Sequence, residues 1–145
     1  MAPRFYSKEW CEEYQKKANS DKQYLERMKG FTVKYLFIVT DCPDGNDVKI
    51  LWDYQDGKLV KFDYTAKPAP SDMRIGKEHW DNTISLMKNQ ASYETFSKIQ
   101  KKELSGLAAL GNKLWKMEGD LIKAMKYTAN NAIIQEMQAS IPCVY

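Results

Sequence analysis

The first hydrophobic pattern in the chain is helical. Trp10, Tyr14 and Ala18 recur four residues apart, on one face of a helix that Ser7 can cap. Asn19-Ser20-Asp21 interrupts it, and Ser20 with Gln23 three residues on reads as the capping box of a second helix. That helix carries Tyr24, Leu25 and Met28 on one side, and Gly30 is expected to end it. The period then drops to two. Phe31, Val33, Tyr35, Phe37 and Val39 alternate along a first strand. Leu36 and Ile38 make its far half apolar on both faces, so that end is expected to be covered from both sides. After the turn chemistry of Cys42-Pro43-Asp44-Gly45, Val48, Ile50, Trp52 and Tyr54 alternate on a second strand. Asp56-Gly57 is a hairpin signal, and Val60, Phe62 and Tyr64 form the return.

Lys67-Pro68-Ala69-Pro70 reads as a short loop and Met73-Arg74-Ile75 as a brief strand. Trp80, Ile84 and Met87 sit at helical spacing, and Tyr93, Phe96 and Ile99 fall on a further helix that Ser92 can cap. Leu104, Leu107 and Leu110 continue at period three across Gly106, and Leu114 to Glu118 alternates as a last strand. Asp120 then caps a single terminal helix bearing Leu121, Met125, Ala129, Ile133 and Met137. The order αα-βββ-β-αα-β-α has no internal repeat. It predicts an α+β layer fold with helices covering one face of a mainly antiparallel sheet.

Composition narrows the function classes. A length of 145 residues suits one domain, spanning 1–145. The chain has 22 Lys+Arg against 19 Asp+Glu, and a net charge of +3 is too small for an electrostatic nucleic-acid binder. All of the excess lies in residues 97–145. There Lys98, Lys101, Lys102, Lys113, Lys116, Lys123 and Lys126 outnumber four acids. Beside the Leu- and Met-rich segments, these lysines read either as a solvated face or as a transient contact with anionic membrane lipid. The longest apolar run, Tyr35–Val39, is far short of the roughly 20 residues of a spanning helix. No secretory pattern is seen at the amino terminus. Cys11, Cys42 and Cys143 are odd in number without C-x-x-C spacing, so a reducing, cytoplasmic setting is expected.

Catalytic signals are sparse. His79 is the only histidine, so any His-dependent triad or multi-His metal site would have to pass through it. Asp41, Asp44 and Asp47 invite a calcium reading, but the loop positions needing oxygen ligands fall on Asp41, Pro43 and Gly45, and two of those cannot donate. Phosphate-loop, dinucleotide and nucleophile-elbow strings are absent. Cys42 reads as a passive thiol at a strand end and Asp120 as a helix cap. No catalytic residue, metal or cofactor is expected.

Trp115-Lys116-Met117-Glu118-Gly119-Asp120-Leu121, preceded by Leu104-Ser105-Gly106-Leu107-Ala108-Ala109-Leu110, resembles the sterol carrier protein-2 (SCP2-like) domain. In that family an Ala- and Leu-rich helix leads into a strand reading roughly G-K-L-K-I-x-G-D and a terminal helix. The opening helices, Gly30-Phe31 and the Asp56-Gly57 hairpin fit prokaryotic-type single-domain members, so the likeness spans nearly the whole chain. It departs at Lys113-Leu114, where the family often has Gly-Lys. The resemblance implies about five strands with helices on one side, and between them an apolar tunnel for sterols, fatty acids or acyl-CoA thioesters. It implies no enzymatic activity and no metal. From spacing alone, a Met and aromatic stripe reads as core; the resemblance turns it into a pocket wall. The expected lining is Trp52, Phe62, Trp80, Met87, Leu107, Leu110, Trp115, Met117, Leu121, Met125, Ile133 and Met137. Two rivals stand beside the lipid carrier: an interaction or homodimerisation module with a filled core, and an acyl- or steroid-processing enzyme using His79, Cys42 or Asp120.

Overall fold

The computed structural model describes residues 2–75 and 84–145. Ser7 opens α1 (Lys8–Ser20), its hydroxyl accepting from the Trp10 N–H at 3.2 Å. This cap sets the phase that turns Trp10, Cys11, Tyr14 and Ala18 inward. The second helix, α2 (Lys22–Arg27), departs from expectation at both ends. Asp21, rather than Ser20, accepts from the Tyr24 N–H at 3.0 Å, while the Ser20 hydroxyl donates back to the Lys17 carbonyl. A carboxylate at the cap also meets the helix dipole favourably, which a hydroxyl does not. The helix stops at Arg27, before Gly30.

Five strands follow: β1 (Val33–Thr40), β2 (Asn46–Gln55), β3 (Lys58–Pro68), β4 (Met87–Ser92) and β5 (Trp115–Gly119), in the spatial order β3-β2-β1-β4-β5. Only β1 and β4 run parallel; the other three pairs are antiparallel. The β2–β3 hairpin turns at Asp56 and Gly57, whose φ values of 49° and 84° supply the left-handed pair a two-residue turn needs. Gly57 is required twice over, because a Cβ there would come within 2.7 Å of the Met28 carbonyl. Asn19 ties α1 to this hairpin: its side-chain amide both donates to the Leu59 carbonyl and accepts from the Leu59 N–H, each at 2.9 Å. The register of β2 and β3 shifts beside this point, between Asp53 and Tyr54. The borrowed amide satisfies backbone groups that the shifted ladder would leave open.

The fourth strand is the main correction. Met87 begins β4, where it pairs with Tyr35, and does not share a helix with Ile84. Lys88, Asn89 and Gln90 are polar yet buried, because β4 lies between two strands and is covered on both faces. Such a strand shows neither alternation nor an apolar run. Met73–Ile75, the segment expected as the fourth strand, is not one of the five. It is held by side chains instead. Asp47 accepts from Arg74 Nε and Nη2 at 2.9 Å each and from the Ser71 N–H at 2.8 Å. Gln90 Oε1 accepts from the Ile75 N–H. Burial alone would raise the Asp47 carboxyl, but the Arg74 and Ser71 hydrogen bonds outweigh it and hold the group well below the usual carboxylate range. Ile38 and Met73 are buried outside the main core, so the far end of β1 is covered on its second face as expected.

The remaining helices are α3 (Tyr93–Gln100), α4 (Gly106–Gly111), α5 (Leu121–Met125) and α6 (Thr128–Ala139). Ser92 caps α3 as predicted, accepting from the Thr95 N–H. The terminal helix is two helices, not one. After Met125 the chain turns, with the Thr128 hydroxyl donating to the Met125 carbonyl at 2.8 Å. Tyr127 meanwhile packs edge-on against Phe31 at 5.3 Å. A threonine hydroxyl competing for a helix carbonyl and an anchored ring together break the run.

Candidate ligand-binding site

Alternation along β1, β2, β4 and β5 directs one row of large side chains to the helix-covered face. Tyr35 stands opposite both Trp52 and Met87, and Phe37 opposite Asn89, which in turn faces Met117. Over α1 this face is sealed by close aromatic packing: Tyr14 meets Trp52 edge-on at 5.4 Å, and its hydroxyl lies 2.7 Å from that of Tyr54. Under α6 the face is not sealed. A cavity of about 380 Å³ separates the sheet from Asn131, Ala132, Ile134 and Gln135 of α6, with Phe96 and Ile99 of α3 at one side and Phe5 and Tyr6 at another. Apart from Ile134 the roof presents short or polar side chains where a core helix would present Leu or Phe, so floor and roof do not fully interdigitate. Gly106 of α4 and Ala124 of α5 complete the wall.

The wall carries a few fixed polar groups. Tyr35 Oη donates to Asn131 Oδ1 at 2.8 Å, and burial pushes the phenol up to about 12, so it remains a donor. Trp115 Nε1 donates to Asn89 Oδ1 at 3.3 Å. Among the described residues no charged side chain lines the cavity. An apolar wall with neutral polar points suits an apolar molecule bearing little or no charge.

Of the expected lining residues, Trp52, Met87, Trp115 and Met117 lie on this wall. Phe62 sits one strand out, half-buried behind Trp52 with ring centroids 5.9 Å apart. Met137 is buried in the core and Ile133 packs against it, neither reaching the cavity. Leu107, Leu110, Leu121 and Met125 point outward, because α4 and α5 turn their small residues, Gly106 and Ala124, toward the cavity. Trp80 and His79 lie outside the described residues. Tyr35 and Phe37 belong to the wall though the lining prediction omitted them; their same-face register with Trp52 was the available signal. Asn131, Ala132 and Gln135 gave none, since polar and small residues on a helix read as a solvent face.

The other candidate groups have structural partners. Cys42 is buried, its thiol donates toward the Val39 carbonyl at 3.7 Å, and burial pushes it up to about 11. It is therefore a thiol, not a thiolate, near neutrality. Asp120 caps α5, accepting from the Lys123 N–H at 2.9 Å. Asp47 is engaged with Arg74, and Asp44 accepts from the Asn46 N–H. No grouping of residues able to hold a metal ion occurs among the described residues.

No family model matches the chain, and no curated protein matches it in sequence. Solved structures do match in shape. A crystal structure of sterol carrier protein 2 superposes with a TM-score of 0.70 at 14% identity, covering 96% of this chain and 100% of its own. The chain has the sterol carrier protein-2 fold. A solution structure of a conserved hypothetical protein from Thermus thermophilus gives a TM-score of 0.71 at 13% identity, over 97% of this chain and 92% of that one. Sterol carrier protein 2 from Yarrowia lipolytica, in its apo form, gives 0.54 at 14% identity, over 88% of each chain. The Gly119-Asp120 pair that carried the sequence resemblance has a physical role in this fold. Gly119 has a φ of 139°, and a Cβ there would run into the Leu86 carbonyl, while Asp120 starts α5. Lys113, standing where sterol carrier domains often have glycine, is left at a φ of 58°.

Proposed function

We propose that residues 1–145 act as one unit that binds and carries an apolar ligand of the sterol, fatty-acid or acyl-thioester class, without catalysing a reaction on it. The observation that carries this reading is the cavity of about 380 Å³ between sheet and α6, in a chain with the fold of sterol carrier domains. Its size falls within the roughly 300–1,000 Å³ of small-molecule sites. A filled core at this place would have favoured an interaction module. Each methylene moved from water into such a cavity contributes about 0.8 kcal/mol, so a long chain or a fused-ring skeleton is held by contact area alone. The wall supports carriage rather than chemistry: Cys42 and Asp120 are absorbed in structural roles away from it. The three unpaired cysteines favour a reducing, cytoplasmic setting.

Native mass spectrometry of the purified protein, before and after solvent extraction, tests the reading. An adduct of lipid mass that extraction removes is expected, as is saturable uptake of cis-parinaric acid or dehydroergosterol by the extracted protein. A bare protein mass together with no uptake of either probe would overturn it.

A further inference from the structure

The segment from α4 through β5 to α5 has an outer side unlike the rest of the molecule. Leu107 is 83% exposed, Ile122 82% and Met125 72%, and Leu110, Leu114 and Leu121 are also exposed. Single exposed apolar residues are ordinary, but a run of them along one short stretch marks a contact surface. They cannot turn inward, because α4 and α5 are only six and five residues long and present Gly106 and Ala124 to the cavity.

Lys113, Lys116, Lys123 and Lys126 are exposed along the same stretch, and among the described residues none is held in an ion pair. The acids between them are Glu118 and Asp120, and the Asp120 carboxylate is occupied at the α5 cap. Alternating apolar and cationic side chains match a surface that is negative outside and apolar beneath. They do not match a second copy of this chain, since twofold pairing would set these lysines against one another. Strand addition at the free edge of β5 is likewise discouraged by the exposed Lys116.

We infer that the α4–β5–α5 edge docks on an anionic lipid bilayer. Docking seats Leu107, Ile122 and Met125 among the headgroups and acyl chains while the lysines meet phosphate and carboxylate groups. Because α4 and α5 also wall the cavity, the bound face adjoins the ligand site; that this serves lipid exchange rests on the carrier reading above.

Co-sedimentation of the full chain with vesicles tests the docking. The vesicles are phosphatidylcholine alone and phosphatidylcholine with one-third phosphatidylserine. The protein is expected to pellet with the mixed vesicles, to stay in solution with phosphatidylcholine alone, and to be released by high salt. Leu107→Ser/Ile122→Ser/Met125→Ser should abolish pelleting with the thermal melt unchanged. Lys123→Gln/Lys126→Gln should weaken partitioning roughly twenty-five-fold, from about fivefold per cation. Failure of the wild type to pellet, equal pelleting with both vesicles, or wild-type pelleting by the serine variant would each overturn the inference. So would a dimer in sedimentation velocity that the serine variant dissolves, with no vesicle binding. Parinaric acid titration in vesicle-free buffer reads the cavity separately, so failure of the carrier reading is distinguishable from failure of docking.

Discussion

The two halves of the helix-covered face of the sheet handle similar side chains in opposite ways. Over β2 and β3, a helix of thirteen residues lays Trp10, Tyr14 and Ala18 against Trp52, Tyr54 and Leu59, and none of these is more than 2% exposed. Over β4 and β5, the cover is assembled from helices of five to twelve residues, broken at Tyr127 and at Gly111. There the apolar residues divide between a cavity wall and the outer surface. What differs is not the length of the covering helix, since α6 has twelve residues to the thirteen of α1, but what it turns to the sheet: Asn131, Ala132 and Gln135 where α1 turns Trp10 and Tyr14. A helix that presents bulk closes the sheet face and one that presents small or polar side chains leaves a void, while the short α4 and α5 leave apolar residues outside.

The sharpest way to break this comparison is to remove packing on each side. Trp10→Ala should cost about 3–5 kcal/mol in denaturant unfolding, the range for a fully buried large aromatic. A cost below 1 kcal/mol would mean that the α1 side is as loosely packed as the other. The tie behind the sheet comes next. Asp47→Ala should cost about 2–3 kcal/mol near neutrality, because Arg74 loses its buried partner but retains Asp41. The sign with pH follows from the lowered Asp47 carboxyl. Its stabilisation is complete above the ordinary carboxylate value of about 3.9 and is lost as the pH falls toward the folded value. Acid unfolding of Asp47→Asn should accordingly depend less steeply on pH than that of the wild type.

On the cavity side, backbone strain should outweigh side-chain loss. Gly119→Ala is expected to destabilise by about 1–3 kcal/mol, from its left-handed φ and the Leu86 carbonyl. Lys113→Gly should instead stabilise by about 0.5–1 kcal/mol, since glycine relieves the φ of 58°. The smallest effect belongs to Ile122→Ser, within about 0.5 kcal/mol of wild type, because the side chain is already in solvent. A larger loss there would show that the outer side of α5 is packed against something.

The legibility of the sequence divides along the same line. α1, β2, β3 and α3 were readable because each shows one clean period with a cap or turn residue at its end; β1 keeps its alternation although its far half is apolar on both faces, and the weak alternation of β5 is marked by Gly119-Asp120. β4 was not, since Lys88-Asn89-Gln90 is buried by position in the sheet and not by its own chemistry. The split between α5 and α6 was hidden by apolar residues that keep helical spacing across Tyr127. Of the lining that the resemblance implied, the strand-borne Trp52, Met87, Trp115 and Met117 reach the wall, although Met87 is expected on a helix and stands on β4. The helical half does not: apolar Leu107, Leu121 and Met125 turn outward while Asn131, Ala132 and Gln135 turn in. A cavity reverses the usual rule for helix faces, because what keeps it open is the absence of bulk.

The central claim is that this space holds an apolar ligand. The most direct test fills it from two helices at once with Ala124→Phe/Ala132→Phe, both positions on the wall, and titrates wild type and variant with cis-parinaric acid. The account predicts that the folded variant binds at least about tenfold more weakly, a loss of roughly 1.4 kcal/mol, at an unchanged melting temperature. Equal affinity in the two proteins would contradict it.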